Sequence, residues 1–111
     1  MTLVNVNNDR TIIVIGKDRD SKIAKAMTFV SENPIIKYAN EYDIEDNHSI
    51  PSDIGILIEE VDHKPNVDLI RRTMLEYRGQ VVLLSSNKKS VPKTIFNKCV
   101  VKTAYTKTVD K

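Results

Sequence analysis

Residues 54–60 read Ile54-Gly55-Ile56-Leu57-Ile58-Glu59-Glu60, and residues 80–87 read Gln80-Val81-Val82-Leu83-Leu84-Ser85-Ser86-Asn87. Each is an unbroken apolar run that ends in polar side chains. A strand with one wet face alternates apolar and polar residues, whereas an unbroken run suits a strand covered on both faces. Between the two runs, Pro65-Asn66 opens a helix with Val67, Ile70, Met74 and Tyr77 on one side, and Gly79 is expected to end it. Strand, helix and strand in this order imply a parallel pair joined by a crossover.

The same grammar extends in both directions. Thr11 to Ile15 is a β-branched apolar run closed by Gly16. Ser21 is expected to cap a helix containing Ile23, Ala26, Met27 and Val30, with Asn33-Pro34 as its stop. Ile35 to Ala39 reads as a second strand, and the polar stretch Glu41 to Asp53 as a loop. Downstream, Val91-Pro92 begins a short helix through about Lys98, and Cys99 to Ala104 is a fifth strand. The expected fold class is therefore α/β, a three-layer doubly wound sandwich around a mostly parallel five-stranded sheet. Residues 1–111 are read as one domain, since 111 residues provide for a single core.

Composition narrows the setting. No apolar run approaches the roughly 20 residues that span a bilayer, and the start of the chain lacks a signal-peptide pattern. One cysteine, Cys99, excludes an internal disulfide framework and suits a reducing compartment, so a cytoplasmic location without membrane attachment is expected. Residues 1–87 carry 10 Lys/Arg against 14 Asp/Glu, whereas residues 88–111 carry seven lysines against Asp110 alone. A charge division of this kind suits a nucleic-acid or charged-protein surface as well as ordinary solvated faces. Lys88, Lys89, Lys93, Lys98 and Lys102 are the candidate nucleic-acid contacts, but a stretch whose aromatics are Phe96 and Tyr105 is poor material for base stacking.

Three segments, in order, resemble the core of the clamp-loader ATPases of the AAA+ class, of the replication factor C small-subunit and DNA polymerase III gamma and delta-prime type. Ile56-Leu57-Ile58-Glu59-Glu60-Val61-Asp62 is similar to a Walker B strand. Leu69-Ile70-Arg71-Arg72-Thr73-Met74-Leu75-Glu76-Tyr77 is similar to the family's helix with paired arginines, and the strand after it ends at Asn87 where the family has its sensor asparagine. Val91-Pro92-Lys93-Thr94-Ile95-Phe96-Asn97-Lys98-Cys99 is similar to the segment that carries the trans-acting arginine finger. The N-terminal half matches by its strand-turn-helix pattern and by Ala24-Lys25-Ala26. The resemblance implies a P-loop NTPase fold and a setting in DNA replication.

The residues that would run the chemistry depart from that pattern. A phosphate loop needs glycines so that backbone N–H groups can wrap the phosphates, followed by a lysine and a Ser/Thr for Mg²⁺. Counting from Gly16 puts Ser21 on the second glycine, Lys22 on the lysine and Ile23 on the metal ligand. Asp18 and Asp20 bring negative charge to the same turn. At about 5 Å, each carboxylate–phosphate pair costs on the order of 3 kcal/mol at an effective dielectric of about 20. Glu59 replaces the Mg²⁺-associated aspartate, Glu60 keeps the residue type that positions the attacking water, and Lys98 replaces the finger arginine without its bidentate fork. With few residues after Ala104, no counterpart of the family's lid and collar is expected in residues 1–111.

The expectation is a non-catalytic clamp-loader-like protein with no cofactor, acting by protein–protein binding on replication clamp or clamp-loader components. Such shortened cores suit a viral or mobile-element origin, and self-association is an open alternative. A residual ATP-binding subunit using Lys22, Glu60 and Asn87 is one competing function, and a DNA-binding accessory protein using the C-terminal lysines is another. His48 and His63 stand apart without partners at metal-ligand spacing. Cys99, with no nearby histidine in sequence, reads as a packed thiol.

Overall fold

A computed structural model describes residues 11–41 and 50–104. Five strands form one sheet: β1 (Thr11–Ile15), β2 (Ile35–Tyr38), β3 (Ile56–Glu59), β4 (Val81–Ser85) and β5 (Val100–Thr103). The helices are α1 (Arg19–Met27), α2 (Val67–Glu76) and α3 (Lys93–Phe96), with 3₁₀ turns at Ala39–Glu41 and Lys88–Ser90. Every pairing is parallel, and the order across the sheet is β2-β3-β4-β1-β5. β1 thus lies between β4 and β5, unlike the dinucleotide-binding sheets in which the first two strands are neighbours.

Alternate residues of the central strands feed two cores. Ile13, Ile56, Ile58, Val81 and Leu83 pack with Ile70, Met74 and Tyr77 of the α2 segment and with Ile95 of α3. On the other face, Ile12, Val14, Leu57, Val82 and Leu84 pack with Ala26 and Ile23 of α1. The result is a three-layer α/β domain. Right-handed crossovers explain the sides: the β1-to-β2 connection runs across the sheet in one direction, and the later connections return in the other. Each fully buried Ile, Leu or Val contributes about 1.5–3 kcal/mol through the surface it removes from water.

Several local expectations change. Asp18, not Ser21, is the N-cap of α1, because its carboxylate accepts the Ser21 N–H at 3.0 Å and the Ser21 hydroxyl at 2.8 Å. α1 ends at Met27, earlier than Asn33-Pro34, with Thr28 as its C-cap. α2 begins as expected, capped by Asn66, but it ends at Tyr77 in extended backbone, not at a left-handed glycine. Gly79 is needed for closeness instead, since a Cβ there would lie 2.6 Å from the Ser52 carbonyl and 2.7 Å from the Tyr77 ring. Tyr77 is buried, and its hydroxyl donates to the carbonyls of Pro51 and Ile54. His48 and most of the Glu41–Asp53 stretch lie outside the described residues.

Gly55 is the second close approach. A Cβ on it would meet Val30 Cγ1 at 2.4 Å, where the chain leaving α1 crosses the start of β3. Gly55→Ala is expected to lower unfolding free energy by about 1–3 kcal/mol through overpacking. The Gly55→Ala/Val30→Ala pair should lose less than the two single variants together in urea titrations. Strict additivity would contradict this contact.

Candidate functional site at the carboxyl ends of the strands

Parallel sheets open their ligand crevices beyond the carboxyl ends of the strands. In this chain those ends carry Gly16, Glu59-Glu60 and Ser86-Asn87, and α1 starts above them. Glu59 closes β3 and is only 4% exposed. Its two oxygens accept from Arg19, Nε at 2.8 Å and a terminal guanidinium nitrogen at 2.9 Å. Since β4 separates β1 from β3, Arg19 reaches over one strand to make this bidentate pair. The carboxylate in turn raises the guanidinium's affinity for its proton, first through the hydrogen bond and then through charge.

Lys22 is the second charged group drawn inward, 8% exposed, with its ammonium donating to Ser86 Oγ at 2.8 Å. Its stem packs beside Gly16, where a Cβ would lie 3.1 Å from Lys22 Cγ and 3.0 Å from Ala104. Gly16 therefore serves a three-way packing contact between β1, α1 and the end of β5. None of the glycines has a positive φ. Three backbone donors of this turn are bonded internally: Gly16 N–H to the Ser85 carbonyl, Ser21 N–H to Asp18 Oδ2 and Lys22 N–H to the Asp18 carbonyl. A carboxylate capping a helix N-terminus sits where an anionic ligand would otherwise take those N–H groups.

Gly16, Lys22 and Glu59 stand at the carboxyl-end edge of the sheet, and Ser21 lies in the first turn of α1 bonded to Asp18. Glu60 follows Glu59 but is exposed, and it adopts φ 61, a left-handed backbone that ordinary residues seldom use. Asn87 is exposed and uses its side-chain oxygen to accept the Lys89 N–H, capping the 3₁₀ turn that follows β4. Arg19 is the residue that sequence reasoning passed over. Its partner lies 40 positions away, and no local periodicity signals such a pair.

The C-terminal lysines do not share one edge. Lys88 and Lys89 follow the carboxyl end of β4, Lys98 precedes the amino end of β5 at the opposite side of the sheet, and all five candidates are exposed. Cys99 donates its thiol to the Ile95 carbonyl at 3.3 Å, and burial pushes it up to about 12. That favours a packed thiol over a nucleophile at neutral pH. Among the described residues no cluster of three or more His, Cys, Asp or Glu could hold a metal ion, and no helix is long and apolar enough to cross a membrane. No protein-family model matches the chain, and a search of the curated proteins finds no match.

Two expectations follow for stability. A thiol that titrates higher when folded binds its proton more tightly in the native state, so its contribution is complete below about pH 9 and is lost as pH rises toward about 12. The buried Tyr77 hydroxyl is raised in the same direction, chiefly by desolvation. Denaturation followed from pH 8 to 11 should show falling stability, with a shallower fall in Cys99→Val. Separately, Arg19→Ala strands a nearly buried carboxylate and should lower the melting temperature by more than Arg19→Ala costs in a Glu59→Gln background.

Proposed function

We propose that the chain is a clamp-loader-like, AAA+-like core that neither holds nor hydrolyses ATP and acts by binding protein in DNA replication or its modulation. The observation carrying this reading is that the groups at the carboxyl ends of the strands are bonded to one another. Asp18 takes the Ser21 N–H at the start of α1, the Arg19 guanidinium occupies both oxygens of Glu59, and Lys22 is held by Ser86. The position of Glu59-Glu60 at the end of β3, where the resemblance puts the Walker B acids, adds support, as does the all-parallel α/β sheet.

These residues do not fit a magnesium–nucleotide complex. A triphosphate would meet the Asp18 carboxylate at the helix start. A cation near Glu59 would have to displace a bidentate guanidinium whose loss leaves Arg19 without its partner. The fold is thus retained as a scaffold, and its surfaces carry the activity.

Calorimetry of the full chain with ATP and Mg²⁺ should give no saturable heat up to millimolar nucleotide. A saturable isotherm would falsify the nucleotide-free reading. The replication setting has its own test, co-elution with purified sliding clamp or clamp-loader subunits on size exclusion. A complex with one of them is expected, and elution apart from all of them removes that setting.

A further inference from the structure

α2 covers the sheet with Ile70, Thr73 and Met74, and turns Asp68, Arg71, Arg72 and Leu75 outward. These four stand at i, i+3, i+4 and i+7, the spacing by which one helix face presents anchors to a partner. Leu75 is 73% exposed, more than any other large apolar side chain among the described residues. Arg71 and Arg72 lie one turn before it, one to either side, and both are exposed. Neither makes an ion pair among the described residues, although Asp68 stands one turn away from both. Asp68 belongs to the first turn, where it favours the helix dipole. Glu76 lies further round the helix. The two side chains one turn before Leu75 are therefore guanidiniums, with Asp68 and Glu76 as the exposed acids of the same helix, and Arg78 just beyond the helix is also exposed.

We propose that this face of α2 docks an acidic protein segment that carries an apolar contact for Leu75, with Arg71 and Arg72 gripping its carboxylates. Planar guanidinium forks suit bidentate carboxylate recognition, and arginine beside an exposed apolar anchor is the composition that protein interfaces favour. A phosphate backbone would use the arginines and gain nothing from Leu75, so the central leucine selects a protein partner over a nucleic acid. The site lies on a helix of the sheet's other face from α1, and it stands or falls independently of whether the strand ends bind nucleotide.

The test is panning of a random peptide display library against the intact chain, beside the Arg71→Ala/Arg72→Ala and Leu75→Ala variants. Circular dichroism controls for folding, which should be unchanged because all three side chains are exposed. Enriched peptides should be acidic with an interspersed Leu, Ile or Phe. Their affinity, read by anisotropy, should fall about tenfold with Leu75→Ala and further with the double arginine variant. Peptides without acidic bias, or binding unaffected by these substitutions, would overturn the proposal. So would a DNA duplex whose binding needs both arginines and is indifferent to Leu75→Ala.

Discussion

A nearly buried carboxylate cannot stand alone, and in this domain Glu59 meets Arg19 through two parallel hydrogen bonds. Leaving either partner unpaired costs more than the pair itself contributes, because the desolvation of the carboxylate is already fixed by the fold. The pair therefore constrains the start of α1 to sit over the end of β3. With α1 fixed there, Lys22 falls beside Gly16 and its ammonium reaches Ser86. The turn after β1 then closes on itself through the Asp18 cap. One ion pair across β4 thus shapes the chemistry of this edge: Asp18, Arg19, Lys22 and Glu59, groups of the kind that bind phosphate and metal elsewhere, are here held by internal bonds.

The sheet makes this possible by its order. Because β1 sits between β4 and β5, the first turn faces the ends of β3 and β4 on one side and the end of β5 on the other. Ala104 closes against Gly16, with its N–H donated to the Ile15 carbonyl at 2.8 Å. At the amino ends, Gly55 and Gly79 allow Val30, Ser52 and Tyr77 to approach the backbone closely. Glycine in this domain works by leaving out a side chain, and nowhere by adopting a left-handed turn.

The central strands β1, β3 and β4 were legible because burial on both faces writes itself as unbroken apolar runs, whereas the edge strands β2 and β5 are half-exposed and interrupted by Lys37 and Lys102. All five begin and end within two residues of the segments read as strands. Pro65-Asn66 was legible as the opening of α2, and the structure makes Asn66 its cap, the use that a short amide before an apolar periodicity commonly has. The cap of α1 was misread although its signal was present: Asp18 and Ser21 stand three apart, the spacing at which a cap side chain meets a backbone N–H. Glycine at the end of α2 suggested a left-handed cap, and tertiary crowding proved the stronger demand. The site's two long-range bonds, Arg19 to Glu59 and Lys22 to Ser86, join residues 40 and 64 positions apart. Only the assembled sheet brings them together. Gly16, Lys22 and Glu59 could be named from the sequence, but not what they bond to.

The most direct measurement is the amide proton–nitrogen spectrum of the full chain during titration with ATP and Mg²⁺. If the strand-end groups are bonded to one another as described, the amides of Gly16, Asp18, Ser21 and Lys22 will keep their positions at millimolar nucleotide. Saturable shifts clustered on those residues would mean that the Asp18 cap and the Arg19–Glu59 pair open to a ligand, which contradicts a self-satisfied edge.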